Sequence, residues 1–301
     1  MVSFKCPNCG GEMSVSRTGD LLCSYCGTKQ VMSDAELQSY KDFRYRMLVY
    51  LSAIAAEPAP EATERIWAHA DSVSFTAKDG SPIAVSYLFS GVRDGVRIYT
   101  ARRNVLFVFP AGAGAQIERF RNMPKLLQYP PADVKGLSSY FPTVNGIFEL
   151  KDGRTLVSVS KSEECFPLSA FGSLPAEHAA WIVSRLENLC CVLAFSDLAH
   201  GGIDMETVFI NARTHEAYLP GGWWNAQPCP NGSVQDLRAV RSVAKRVMGM
   251  QYDQSAKAFR DFIKRAPAQD AYADFAEWDR VITEAFGGRQ FRKLDLSNLK
   301  I

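Results

Sequence analysis

Apolar positions follow two different periods along the chain. Leu37, Tyr40, Phe43, Met47, Leu48, Leu51 and Ile54 recur at spacings of three and four, which puts them on one face of an α-helix. Ser33-Asp34-Ala35-Glu36, just before them, has the form of a capping box. The helix is expected to end near Glu57-Pro58-Ala59-Pro60, because proline disfavours helix in the residue before it. That stretch reads as a linker between separately packed units. From about Asp71 the period shortens: segments 83–89, 96–100 and 105–109 are rich in β-branched and aromatic residues and are separated by glycine or polar turns, the pattern of a strand meander. A helix is expected over 116–128, then a hairpin of 146–150 and 156–159 around Lys151-Asp152-Gly153-Arg154. Pro175 opens a long helix with Trp181, Ile182, Leu186, Leu189, Leu193 and Leu198 on one face, and from about Val234 the chain reads as helices.

Composition bounds the classes open to such a chain. With 301 residues, 47% apolar, it can bury one large core or two moderate ones. A formal charge of +2 with 22% charged residues implies neither disorder nor a general affinity for polyanions. No apolar run approaches the roughly 20 residues that span a bilayer, and the start MVSFKCPNCG lacks the apolar core of a signal peptide. A soluble, cytoplasmic protein with no membrane partner is expected. The eight cysteines support this: four form two Cys-x-x-Cys pairs, while Cys165, Cys190, Cys191 and Cys229 are scattered, which fits a reducing compartment and one metal site rather than a disulfide framework.

The pairs are Cys6-Pro7-Asn8-Cys9 and Cys23-Ser24-Tyr25-Cys26, each followed by glycine and separated by 13 residues. A Cys-x-x-Cys turn aims two thiolates at one ion, and the glycine lets the backbone fold over sulfur where a side chain would crowd it. Cys6, Cys9, Cys23 and Cys26 are therefore expected to hold one structural Zn²⁺ in a zinc ribbon, since so small a segment needs a staple to fold. The redox alternative would need one Cys-x-x-Cys between a strand and a helix. Lys5, Arg17 and Lys29 are set against Glu12 and Asp20, so with four thiolates and the ion the ribbon carries a net charge of about −1. It lacks the basic footprint of a nucleic-acid binder.

Beyond the ribbon, strands around one helix, a crossing segment, a long helix and a helical lobe follow the order of the eukaryotic-type protein kinase fold. The segment Leu198-Ala199-His200-Gly201-Gly202-Ile203-Asp204-Met205-Glu206-Thr207-Val208-Phe209-Ile210 resembles a kinase catalytic loop, H-R-D-L-x-x-x-N followed by an apolar strand. Ala217-Tyr218-Leu219-Pro220-Gly221-Gly222 lies where a strand leads into D-F-G, and Ser233-Val234-Gln235-Asp236-Leu237 resembles the start of the buried kinase helix that carries an aspartate in its first turn. The resemblance implies an α+β chain: zinc ribbon over 1–32, helical linker over 33–70 and a bilobal protein-kinase-like domain over 71–301. The antiparallel-sheet N-lobe would cover about 71–168 and the helical C-lobe about 169–301.

The departures from the pattern imply a pseudokinase. The base aspartate is replaced by Gly202, the magnesium-holding asparagine by Thr207 and the D-F-G aspartate by Pro220; the third strand, 105–110, has no lysine, and Ser90-Gly91-Val92-Arg93-Asp94-Gly95 is not a G-x-G-x-x-G loop. Nucleotide binding loses its usual ligands, and no catalytic residue is assigned. His200 reads as a hydrogen-bonded core histidine, and Asp204 and Glu206 as exposed loop acids. Cys190 and Cys191 read as small core residues, and Trp223-Trp224 as filling for the vacant nucleotide region or as a partner anchor. His69, His178 and His215 have no ligand-like spacing. The expected function is a non-catalytic scaffold or regulatory module that binds protein partners. The alternatives are an atypical nucleotide-dependent transferase, for which Asp204, Glu206 and Asp236 are the available acids, and nucleic-acid binding through the ribbon.

Overall fold

Few apolar side chains are spaced through the first thirty residues, and in the computed structural model they line the inside of a small ribbon. The structure describes residues 4–6, 11–16, 20–35, 37–38, 41–42, 45, 59–129, 137–288, 292 and 294–301. Strands β1 (Phe4–Lys5), β2 (Glu12–Val15), β3 (Asp20–Cys23) and β4 (Lys29–Val31) pair antiparallel in the order β1-β2-β3-β4, with Met13, Leu21 and Cys23 buried. Residues 34–35, 37–38, 41–42 and 45 are helical. Glu36 and the apolar positions Tyr40, Phe43, Met47, Leu48, Leu51 and Ile54 lie outside the described residues, as do Glu57 and Pro58. Ala59 and Pro60, read above as linker, instead open helix α1 (Ala59–Trp67). Proline is tolerated in a first turn, where its missing N–H would have no partner. Trp67, at the end of α1, is buried and stacks on Phe166 at 6.4 Å.

The meander becomes a six-stranded antiparallel sheet: β5 (Asp71–Thr76), β6 (Pro82–Arg93), β7 (Val96–Ala101), β8 (Asn104–Phe109), β9 (Val144–Glu149) and β10 (Thr155–Ser160), in the order β5-β6-β7-β8-β10-β9. Helix α2 (Gly114–Asn122) follows β8. It is shorter than expected because Pro124 falls in the next turn, which tightens into a 3₁₀ segment. Alternation along β8 separates two cores. Val105, Phe107 and Phe109 face the helical lobe, whereas Leu106 and Val108 join Phe75, Tyr99, Leu150 and Leu156 in a second cluster. The sheet curls around that cluster: Ala77 bridges Leu150, and the Lys78 N–H donates to the Glu149 carbonyl at 2.8 Å.

After β11 (Cys165–Pro167) the helical lobe is built on α3 (Ala176–Phe195), α4 (Val234–Met248), α5 (Lys257–Lys264) and α6 (Ala271–Phe286). The two-lobed α+β order is the one the sequence implies. Helix α3 stops earlier than its apolar pattern suggests: Asp197 adopts φ 52°, and Leu198 belongs to strand β12 (Leu198–Ala199). Short strands β13 (Phe209–Asn211), β14 (Glu216–Tyr218) and β15 (Gln227–Pro228) complete the sheets β11-β13-β14 and β12-β15. Among the described residues no helix is long and apolar enough to cross a membrane.

The ribbon does not keep a core of its own. Tyr25, between the ligand candidates Cys23 and Cys26, is buried against the helical lobe. Its ring meets Phe195 at 6.4 Å and Tyr272 at 5.4 Å, and its hydroxyl donates to Asn188 Oδ1 at 2.7 Å. Cys6, Met13, Leu21, Cys23 and Tyr25 belong to the same apolar cluster as α3. Tyr25→Phe, which strands the Asn188 carbonyl, is expected to cost about 1 kcal/mol, and Tyr25→Ala about 3 kcal/mol or more. Urea unfolding followed by tryptophan fluorescence of the helical lobe checks this; no change in that transition would mean that the ribbon contributes nothing to the lobe.

Candidate metal centre and interlobe site

Two strand ends bring the first group together. β1 ends before Cys6, and β3 ends at Cys23, whose carbonyl accepts the Gly27 N–H at 3.1 Å to close the knuckle. Gly27 sits at φ 73°, a conformation that residues with a Cβ rarely adopt. The sulfurs of Cys6, Cys23 and Cys26 all lie within 4.8 Å of one another, with Cys6 to Cys26 at 3.4 Å. Two sulfurs at about 2.3 Å on a tetrahedral ion are about 3.8 Å apart, so the spacing suits one shared ion. The Tyr25 N–H points at Cys23 Sγ from 3.4 Å. Cys9 lies outside the described residues. The three described cysteines form a group that can hold a metal ion.

The second site is the seam between the lobes. Asp236, in the first turn of α4 and 2% exposed, accepts the backbone N–H of His200 at 2.7 Å and that of Gly201 at 2.8 Å. Burial pushes its carboxyl pKa up, and the two N–H groups oppose the shift. His200 is fully buried, edge-on to Trp223 at 4.8 Å, and its Nδ1 accepts the Gly202 N–H at 3.2 Å. It is a core histidine, as expected. Thr207 is also fully buried: its hydroxyl accepts the Asp204 N–H at 2.9 Å and donates to the Gly202 carbonyl, stapling the loop.

Backbone then fills the space beside the loop. A Cβ on Gly202 would come within 2.6 Å of Gly222 Cα and the Gly222 carbonyl, and one on Gly222, at φ 87°, within 2.5 Å of His200 Cε1. Trp223 and Trp224 are both fully buried. Trp224 packs on Phe107 at 5.6 Å and Phe109 at 5.7 Å from β8, and stacks on Phe120 of α2 at 6.2 Å. Of the two readings given for this pair, the structure has the filling one.

The β6–β7 hairpin closes over the seam. It turns on Asp94-Gly95, both at positive φ, which gives a tight hairpin in place of an open glycine loop. Asp94 Oδ2 accepts the Trp224 Nε1–H at 3.2 Å and the Asn225 amide at 2.7 Å. Asp204 lies between Arg93, at 3.5 Å, and Arg246 of α4, at 2.6 Å, and its side chain is 13% exposed. Glu206 accepts the Ser169 hydroxyl at 2.8 Å. These acids are therefore not the exposed loop residues the sequence suggested, because Arg93 and Arg246 are distant in the chain. Asp204, Glu206 and Asp236 have separate partners and are not gathered around one point.

Cys190 and Cys191 are buried core residues, and burial raises the Cys190 thiol pKa well above its ordinary value. The sequence reading missed that Trp181 joins two histidines: its Nε1–H donates to His178 Nδ1 at 3.4 Å, and its ring stacks on His215 at 4.9 Å. His178 lies on α3 itself, one turn before Trp181, whereas His215 comes from the turn between β13 and β14, which no motif connects to α3.

No family model matches the chain, and no curated protein matches it. Solved structures similar to it include vaccinia related kinase 3 (13% identity, 74% of this chain and 96% of that one, TM-score 0.45). Others are the BubR1 kinase domain (9%, 67% and 80%, 0.48) and the Mycobacterium tuberculosis PknI kinase domain (11%, 69% and 98%, 0.44). At these identities and scores no residue's role transfers from them.

Two outcomes follow from the seam. Gly202→Asp and Gly222→Ala are each expected to cost at least about 2 kcal/mol through overpacking. Gly112→Ala, at φ 81° with open space around it, should cost only about 1 kcal/mol for its left-handed backbone; chemical denaturation measures all three. Burial holds the pKa of His200 down at about 3, against an ordinary 6.5, and that of His215 down at about 4. Below pH 6.5 the unfolded chain takes up protons that the folded chain refuses, so stability falls as pH drops from 6.5 toward 4. His200→Asn should remove up to one proton from that slope, about 1.4 kcal/mol per pH unit, in urea titrations at pH 4.5–6.5.

Proposed function

We propose that this protein is a zinc-bearing, non-catalytic pseudokinase that works as a cytoplasmic scaffold or regulatory module by binding proteins. The observation that carries this reading is the backbone contact of Gly202 with Gly222, together with Trp224 on Phe107. It occupies the ground where a kinase-like loop would need a base, two metal ligands and a nucleotide phosphate. Phosphoryl transfer depends on positioned metal ions and charge stabilisation, so a seam filled by glycine backbone and indole has little to offer it. The inner face of β8 carries Val105, Phe107 and Phe109 where a cation would be wanted. The transferase alternative is weakened because Asp204 and Glu206 are tied to Arg93, Arg246 and Ser169. Nucleic-acid binding is weakened by the charge of the ribbon.

In the same reading Cys6, Cys23 and Cys26, with Cys9 as fourth ligand, hold Zn²⁺ and leave no open coordination position, so the ion is structural. Purified protein is expected to contain about one zinc per chain by elemental analysis, and Cys6→Ser with Cys23→Ser to abolish it. A zinc content near zero in protein prepared without chelator would remove the assignment. With labelled ATP, magnesium or manganese and generic acceptors, no transfer and no ATP-induced rise in melting temperature are expected. Metal-dependent labelling that copurifies with the protein and is lost on changing Asp204 or Asp236 would replace this reading with the transferase.

A further inference from the structure

Around Trp224 the seam is filled, and one part of the outer surface is unlike the rest. Val144, Ile147, Phe148 and Leu126 are four of the nine large apolar side chains left exposed among the described residues. The first three lie on β9, the edge of the six-stranded sheet: Val144 and Ile147 line one groove, whereas Phe148, adjacent to Ile147 along the strand, points to the other face. Exposed apolar residues scattered singly need no explanation; a cluster does.

Edge strands are ordinarily guarded by charge, proline or brevity. β9 has six residues, and its one charged side chain, Glu149, is at the far end, paired with Lys78 at 2.5 Å. That end is also where the sheet curls and the Lys78 N–H reaches the Glu149 carbonyl. From Val144 to Phe148 β9 pairs only with β10 among the described residues. Beside it runs a groove of about 320 Å³, lined by Phe120, Pro124, Pro142, Val144 and Ile147 and flanked by Arg121 and Lys125, with no acid among the described residues of its lining.

We infer that β9 and this groove are a docking site for an extended, acidic and apolar segment of a partner protein, which adds as a further strand to the sheet. This rests on the binding-module reading above. Backbone hydrogen bonding along Val144–Phe148 supplies affinity, and period-two alternation turns every other side chain of the segment into the groove against Ile147, Val144 and Pro124. Arg121 and Lys125 select the charge. Both are exposed; among the described residues Arg121 shares Glu118 at 3.1 Å and Lys125 bonds the neutral Asn122 at 3.3 Å, which leaves cationic charge for a ligand. A second copy of this chain fits less well, because edge-to-edge pairing would bring the same cations together.

The test displays random nine-residue peptides on phage, selects them on the full zinc-loaded chain and counter-selects on Ile147→Glu and Lys125→Glu forms. Enriched peptides are expected to alternate apolar with acidic residues. As fluorescein-labelled synthetic copies they should lose at least about tenfold in affinity, by anisotropy, on either substitution and on raising salt from 0.05 to 0.5 M. A proline at the peptide's centre should remove binding, and amides 144–148 should exchange more slowly in the complex. Lys125 is exposed, so its variant keeps the test valid if Ile147→Glu fails to fold. The inference is overturned by no enrichment over the counter-selection, by basic or helical winners, by unchanged exchange at β9, or by a concentration-dependent dimer that Ile147→Glu dissolves. The labelled-ATP assay on the same preparations keeps the two readings apart: transfer of phosphate would end the non-catalytic reading and leave β9 standing, whereas failed docking without transfer would end only this one.

Discussion

The interlobe structure depends on one buried carboxylate. Asp236, almost without solvent, must find partners for its oxygens, and it finds them in the backbone N–H groups of His200 and Gly201. That fixes the start of the loop to the first turn of α4. Once it is fixed, His200 can only point inward, where its Nδ1 takes the Gly202 N–H, and Thr207 closes the loop from the other side. The loop is thus organised from beneath by α4 and from within by its own hydroxyl and imidazole. None of these bonds requires a ligand. The same geometry could have presented a carboxylate at position 202; glycine there lets the 220–222 backbone come into contact instead.

That contact determines how the lobes meet. A cleft needs a gap between the sheet and the helical lobe, and Trp224 removes it by placing an indole against two strand phenylalanines and one helix phenylalanine. Interiors pack at crystal-like density, so the cluster of Trp224, Phe107, Phe109 and Phe120 leaves no gap at that point of the seam. The polar contacts of Asp94 and Asp204 are secondary in energy, being partly exposed and open to screening. They matter for direction: they pin the β6–β7 hairpin down on the seam rather than letting it arch away.

The parts legible in the sequence are those whose cause is local. Cys23 and Cys26 meet because the knuckle between them is a tight turn, Cys6 joins them through the pairing of β1 with β2 and β2 with β3, and the strand meander could be read from period-two runs. The resemblance located His200 and Asp236 as features of a loop start and a helix start, and the structure joins them. Illegible were features that depend on distant chain. β5 is serine-rich and polar on one side, so its pairing with β6 has little apolar signature. β12 and β15 have two residues each and exist only because they pair. Leu198 continues the apolar pattern of α3 yet lies beyond Asp197, whose positive φ ends the helix. Asp204 looked solvated because nothing near it in sequence foretells Arg93 and Arg246.

Tyr25 is the most instructive of these cases, because its sequence position hides its role. As the residue before Cys26 it is a free choice within Cys-x-x-Cys, yet its ring and hydroxyl tie the knuckle to α3 and α6. A metal on Cys6, Cys23 and Cys26 would hold the knuckle backbone that presents that ring. Linkage makes the relation reciprocal: if holding the metal favours the docked tyrosine, docking must raise metal affinity by the same factor. A ribbon cut away from the helical lobe is then a weaker metal site than the same ribbon in the chain, and the lobe without metal is left with the α3 surface beside Phe195 and Asn188 uncovered. The knuckle, its tyrosine and the helical lobe pack as one unit, which an ion on the three cysteines would join, although the cysteine spacing alone suggested a separate module.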